Sequence, residues 1–366
     1  MFEQTPFPRT AMAWAPVRGD RSLASMAKHD MIMTSPRAFG LESDQEPWIL
    51  AKGFKPQSIE VARARVAELR RLNPSAVILG DLSFYEMRER ALPEDHPWWL
   101  RKDGKREQFW PGTYRMDWYN PEYQQVVINM TIALYRTGLV DGVFYDNLRV
   151  EKKPWLAVIK GVRDAVGDDF LITANVGYDI GSYDWLAPYM NGFMYESGWS
   201  HDRSAWRPNE TWDDRIRMMQ QTQKLLRKPT VSFIERFEAV RDQAGWPNDP
   251  LKGQPIQRDP AARHWTMCYA LIIGDFYYLF SDSTSHQHDW YPEYDLKIGL
   301  PAGAGERIDS HVWRRPYEKA LVVMNLPGAE EPYPLQLDRS ARDSLSGEVG
   351  ERFSIPPGDG RILVYE

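Results

Sequence analysis

The feature that most restricts the fold is an alternation of strand-like and helix-like segments along most of the 366-residue chain. Candidate strands are AMAWA (11–15), DMIMTS (30–35), AVILGD (76–81), GVFYD (142–146), FLITAN (170–175), GFMYE (192–196), TVSFIE (230–235) and FYYLF (276–280). Helical patterns lie between them. Ser58 is placed to cap a helix whose apolar positions Ile59, Ala62, Val66 and Leu69 keep the 3.6-residue period, with a stop near Pro74. Asn120 followed by Pro121 spells a cap and a first helical turn, and Gly138 closes that helix. Further helices are expected at about 153–166, 212–227 and 259–273, with short ones near 21–28 and 182–188. Strand and helix repeated in this way predict an α/β fold with a parallel sheet. Eight such units over about 280 residues fit a (β/α)8 TIM barrel, which typically needs ~250. An open doubly wound sheet is the alternative, but no GxGxxG or GxxxxGK[ST] phosphate turn occurs. No eighth helix is evident in the polar stretch 281–310.

After about residue 312 the texture changes to KALVVMN, YPLQLD, ERFSIP and GRILVYE, punctuated by Gly and Pro. This predicts a small C-terminal antiparallel β-domain. The expected division is a barrel over 1–310 and a β-sandwich-like domain over 311–366.

Two heptapeptides inside the barrel share one grammar. DGVFYDN begins at 141 and NGFMYES at 191, each running polar, Gly, apolar, apolar, Tyr, acid, polar. Side chains alternate along a strand, so Gly142, Phe144 and Asp146 share a face, as do Gly192, Met194 and Glu196. Each run therefore carries a carboxylate at the C-terminal tip of a strand.

Composition narrows the function classes. The net charge is −6 with acids and bases interspersed, which argues against nucleic acid or an anionic membrane as partner. No run of 18 apolar residues is present, so no transmembrane helix is expected. The start, MFEQTPFPRTAMAW, shows no basic segment followed by an apolar one, so no signal peptide is read there. A chain trimmed of one would be periplasmic or secreted, and otherwise cytoplasmic. The single cysteine, Cys268, excludes internal disulfides and Cys-based zinc sites, and its apolar context predicts a buried thiol. Oligomeric state is not legible. Fifteen Trp and eighteen Tyr are a heavy load, and many, such as Trp99, Trp110 and Trp199, fall in polar segments where aromatic rings stack on ligands.

Barrels of this type carry function on the loops after strand C-termini. Those tips hold Asp81, Asp146 with Asn147, Asn175, Glu196, Glu235 with Arg236, and Asp282. Buried carboxylates are costly without partners, so this ring predicts a polar pocket. The segment 82–119 is the longest insertion; its Trp99, Trp110 and Asp117 are candidate substrate contacts. Two carboxylates across an aromatic-walled cleft are the equipment of glycoside hydrolysis, one protonated and one ionised. HQHDW (286–290) offers His286, His288 and Asp289, and is read as a substrate-lining loop rather than a metal centre, because few other His exist. No GxSxG elbow supports a serine nucleophile. No cofactor and no metal are implied, and the expected partner is a carbohydrate.

DGVFYDN resembles the DGVFLDN-type strand of bacterial hypothetical glycoside hydrolases related to endo-α-1,4-polygalactosaminidases. The segment YDLKIGLPAGAGE…WRRPYEKALVVMN…IPPGDGRIL is similar to the strand-8 loop and C-terminal β-domain of the same group. The resemblance covers roughly 76–366. It implies Asp146 as nucleophile and Glu196 as acid/base in a retaining enzyme. Their placement on strands 4 and 6 also resembles the α-galactosidase-like barrels, which implies an α-linked substrate. The Trp-rich insertion departs from the group and leaves the polymer open. Rival readings are a β-glycosidase using Asp146 and Glu235, and a non-catalytic glycan-binding barrel.

Overall fold

The structure, a computed structural model, describes residues 4–18, 20–148, 152–177, 183–196, 210–237, 260–281 and 286–366. Eight strands close a parallel barrel: β1 (Arg9–Ala13), β2 (Met31–Thr34), β3 (Val77–Asp81), β4 (Gly142–Tyr145), β5 (Leu171–Gly177), β6 (Gly192–Glu196), β7 (Phe233–Phe237) and β8 (Tyr277–Ser281). Each strand pairs with its neighbours in sequence, and β8 pairs with β1 to complete the circle. All eight expected strands are present, and the doubly wound alternative is excluded by this closure.

The barrel interior is filled from every strand by alternate residues. Ala13, Met33, Leu79, Phe144, Met194, Phe233 and Leu279 belong to one buried apolar cluster. Intervening residues such as Ile78, Val143 and Ile234 belong to the larger cluster between strands and helices. Two strand faces thus make two cores, as a two-residue period requires.

The helices are α1 (Leu23–Met26), α2 (Pro56–Leu72), α3 (Pro121–Thr137), α4 (Lys152–Val166), α5 (Trp212–Leu225) and α6 (Pro260–Ile273). α3 begins as its sequence dictates: Asn120 Oδ1 accepts from Glu122 N (2.9 Å) and Tyr123 N (3.2 Å), and Gly138 ends it at φ 65°. α2 starts earlier than expected. Pro56 takes the first position, and Ser58 instead donates to Lys55 O at 2.8 Å from inside the first turn. Pro at N1 fixes the start more strongly than a serine two residues on. Between β5 and β6 only a short 3-10 turn, Ala187–Tyr189, is described, and another, Pro292–Asp295, follows β8 in place of an eighth helix. The insertion after β3 is ordered by two small antiparallel pairs, Glu86–Arg88 with Thr113–Arg115 and Arg101–Lys102 with Lys105–Arg106.

The C-terminal sheet comprises β9 (Val312–Pro316), β10 (Ala320–Asn325), β11 (Tyr333–Asp343), β12 (Val349–Ile355) and β13 (Asp359–Tyr365), with Glu306–Arg307 pairing on β9. It is antiparallel throughout and runs in the order β9-β10-β13-β11-β12. It docks on α6, every residue of which from Arg263 to Ile273 is buried. Tyr317 Oη and Arg315 Nη1 both donate to Leu271 O at 2.9 Å. A Cβ on Gly360 would stand 3.0 Å from the Cys268 sulfur, so the thiol is packing material in this interface.

The two echoing heptapeptides have one structural explanation. Asp141 Oδ2 accepts Ile78 N at 2.7 Å, and the Arg70 guanidinium lies 2.6 Å from both its oxygens. Asn191 Oδ1 accepts Ile172 N at 3.0 Å and Arg163 Nη2 at 2.8 Å. Each opening polar residue therefore ties its strand to the preceding strand and to an arginine of a preceding helix. The glycines follow because the next strand leaves no room. A Cβ on Gly142 would stand 2.4 Å from Leu171 O, and one on Gly192 2.6 Å from the Val231 carbonyl. Gly142→Ala and Gly192→Ala should each cost about 3 kcal/mol or more, since the obstacle is backbone. Chemical denaturation measures this; a loss below about 0.5 kcal/mol would contradict the packing.

Candidate active site

The strand period that fills the barrel also builds its mouth. One step beyond the apolar layer, the same inward faces carry Asp81 after Leu79, Asp146 after Phe144, and Glu196 after Met194. Glu235 follows Phe233, and Ser281 follows Leu279, by the same count. Asn175 stands two residue pairs after Leu171 on the inward face of β5. Register agrees: Glu196 is the Cα partner of Glu235, and Asp81 of Phe144.

Asn175 joins the two acids singled out by the heptapeptides. Its Nδ2 donates to Asp146 Oδ1 and to Glu196 Oε1, each at 3.0 Å. Gly177 N donates to Asn175 Oδ1 at 2.7 Å, which fixes which end of the amide faces the acids. Two oxygens each 3.0 Å from one nitrogen can be no farther apart than about 6 Å. That bound holds for one oxygen of each group and is compatible with the ~5–5.5 Å between the carboxyl groups of retaining glycosidases.

The two carboxyl groups have unlike surroundings. Asp146 also accepts Asn147 N at Oδ1 and Asn147 Nδ2 at Oδ2, both at 2.8 Å. Asn147 reaches both because its backbone is left-handed, φ 56°. Three N–H donors solvate a negative charge at Asp146. Glu196 is pushed up to about 7, first by burial and then by the charges of Asp146 and Glu235, against the lowering hydrogen bond from Asn175. The two members of the pair are thus unlike: N–H donors surround Asp146, and Glu196 is raised towards neutral pH.

Asp81 and Glu235 flank this pair. Asp81 is raised to about 7 by burial and then by Asp146, while Trp14 Nε1 (2.8 Å) and Ser83 Oγ (3.1 Å) donate to its Oδ2. Glu235 is fully buried; Ser281 Oγ donates to it, and His286 Nδ1 lies 2.9 and 3.0 Å from its two oxygens. Trp14 sits just past β1 at φ 53°, with its ring 4.3 Å from the His286 ring and edge-on to Phe144.

Of the residues expected to contact substrate, Asp81, Asn147, Asn175 and Glu235 meet Asp146 and Glu196 at the mouth. Arg236 does not: one step along β7 it faces outward and donates to Thr266 Oγ1 on α6 at 2.6 Å. His288 is also removed. It is fully buried with Nε2 2.8 Å from Nε2 of His29, whose imidazole burial drives down to about 3. Trp99 is 2 % exposed inside the insertion, its indole N–H on Pro93 O, and so has no ring face free for a sugar. Asp117 forms a turn, accepting Tyr119 N at 3.0 Å. Trp110, 39 % exposed, packs edge-on against Phe109. Trp199 and Asp282 lie outside the described residues. Trp14 and Ser281 join the site without having been expected there, and His286, not His288, is the histidine of the expected HQHDW loop that reaches it. The inward count on β8 reaches Ser281, but a positive φ at Trp14 and at His286 breaks the strand period that locates the others.

Residues 81–321 match the sequence model of the hypothetical glycosyl hydrolase family 15, and the chain belongs to that family. Among curated proteins no sequence relative is found. Solved structures with the same fold include a maltogenic α-amylase, AmyB, from Thermotoga neapolitana, at 14% identity over 99% of both chains and a TM-score of 0.54. An α-amylase from Geobacillus thermoleovorans aligns at 13% identity over 100% of this chain and 98% of its own, with a TM-score of 0.56. Ttha1563 from Thermus thermophilus aligns at 12% over the whole of both chains, with a TM-score of 0.53. At these identities the likeness is one of fold.

Burying Glu196 has a thermodynamic cost with a definite sign. Its folded value, about 7, exceeds the ordinary carboxylate value near 4.3, so the folded state holds a proton the unfolded state has lost. The stabilising contribution is complete below about pH 4 and disappears as pH rises through 7. Glu196→Gln removes this titration. At pH 8 the variant should be more stable than wild type by roughly 1–3 kcal/mol, and at pH 4 nearly equal to it. Urea melts at the two pH values check this; a variant less stable at pH 8 would contradict the burial.

Proposed function

We propose that this member of the hypothetical glycosyl hydrolase family 15 is a retaining enzyme that cleaves an α-linked polysaccharide or oligosaccharide. Asp146 attacks the anomeric carbon while the bond to the leaving oxygen breaks and Glu196 passes its proton to that oxygen. Glu196, now a carboxylate, then takes a proton from water. The water oxygen attacks the anomeric carbon and releases Asp146, restoring both groups. The observation that carries this reading is the single Asn175 amide, 3.0 Å from an oxygen of each carboxyl. Negative charge moves from Asp146 to Glu196 in the first step and back in the second. A donor touching both serves either charge without rearrangement.

The α-linkage rests on the strand-4 and strand-6 placement of the pair, as in the α-galactosidase-like barrels. Assigning Glu235 as the nucleophile is disfavoured, because both its oxygens are engaged by His286 and one also by Ser281. A glycan-binding barrel without turnover would not need one acid charged and its neighbour protonated.

Asp146→Asn and Glu196→Gln should each lower kcat/KM by at least about 10³-fold while the fold persists. NMR of the first product released from a panel of α-linked saccharides should show the starting anomer. Inverted product, or Glu196→Gln turning over at the wild-type rate, would refute the assignment.

A further inference from the structure

A saccharide bound at this mouth presents hydroxyl oxygens with lone pairs, yet among the described rim residues the N–H groups, other than one, are already committed. Asp81, Asp146, Glu196 and Glu235 offer carboxyl oxygens. The Asn175 amide is shared between two acids, the Trp14 indole N–H and Ser83 hydroxyl serve Asp81, and the Ser281 hydroxyl serves Glu235. One ring nitrogen among the described rim residues is uncommitted: Nε2 of His286.

His286 is held so that this nitrogen is available. Its Nδ1 lies against both oxygens of Glu235, a bidentate approach that makes Nδ1 the bound donor and directs the opposite edge of the ring away from the buried carboxylate. The ring packs on Trp14 at 4.3 Å and edge-on to Phe237 at 5.6 Å, and its side chain remains 18 % exposed. The backbone, left-handed at φ 59°, is secured two residues on. There the His288 ring meets His29 in the core, and His288 O accepts Arg18 N at 2.8 Å. The charged groups acting on His286 are Glu235 on β7, Glu196 on β6 and Asp146 after β4, all acids, while Asp81 on β3 responds to it in turn. Trp14 after β1 and Ser281 on β8 complete the neighbourhood without charge.

We propose that His286, oriented by Glu235, is a substrate-binding residue of the mouth that donates a hydrogen bond from Nε2 to a sugar hydroxyl. Glu235 is then its positioning residue rather than a reacting acid. The imidazole also stands in a mouth of carboxyl groups, which favour its protonated form. A proton on the ring in turn draws Asp81 and Glu196 down from where burial alone would set them. Burial opposes that proton, but Glu235, Glu196 and Asp146 act together against burial and His286 is raised above its ordinary value.

This role rests on the hydrolase reading, so the test separates the two. NMR titration of the His286 ring in the substrate-free protein should give a value above that of an exposed histidine, falling below it in Glu235→Gln. In the Glu196→Gln background, where binding is read without turnover, His286→Ala should weaken binding to an array of α-linked oligosaccharides roughly 10- to 100-fold. His286→Gln, which retains a donor, should recover part of that loss. A His286 titration indifferent to Glu235→Gln, or array binding indifferent to His286→Ala in a folded protein, overturns the inference. Undiminished turnover in Glu196→Gln would instead overturn the hydrolase reading and leave the donor role to stand on the binding data.

Discussion

A closed barrel of eight parallel strands admits only every second side chain of each strand to its interior, and this molecule's site follows from that restriction. The inward positions are apolar up to Phe144, Met194, Phe233 and Leu279, then polar at the next inward step. The rim thus lies directly on an apolar floor. Water cannot solvate its groups from below, so every charge at the mouth depends on its neighbours. The fixed strand register in turn sets which neighbours meet, and places Glu196 beside Glu235 and Asp81 beside β4.

Four carboxyl groups crowd over this floor, and the structure gives each a different set of partners. Asp146 accepts from the backbone and side chain of Asn147 and from Asn175, Glu196 from Asn175, Asp81 from an indole and a hydroxyl, and Glu235 meets an imidazole and a hydroxyl. Asymmetry of this kind is what the proposed reaction needs to set an attacking carboxylate apart from a proton donor without a second kind of chemical group. Asn175 couples the two, and its own orientation is set by the backbone of Gly177, so the coupling is part of the β5 scaffold.

The barrel and the acids of its rim are legible because both obey the strand period, which the sequence displays directly. Asp81, Asp146, Asn175, Glu196 and Glu235 fall on inward positions by counting alone. Residues off that period are not legible. Trp14 depends on left-handed backbone that only three dimensions reveal. Adjacency to Glu235 suggests Arg236 for the mouth, although one step along a strand reverses the face. HQHDW offers two histidines, and only the buried His29 ring, 259 residues from His288, shows that His288 belongs to the core and His286 to the rim. The aromatic load misleads in part. Trp99 is core of the insertion, and Trp118 stacks on Trp155 at 4.0 Å, so both fill space that sequence composition could equally assign to ligand.

The most direct test of the account is to trap the intermediate it requires. A panel of 2-deoxy-2-fluoro glycosyl fluorides slows release of a glycosyl-enzyme, and peptide mass spectrometry locates the attached sugar. An ester on Asp146 is the result this geometry predicts. A sugar attached to Glu196 or Glu235 would contradict it.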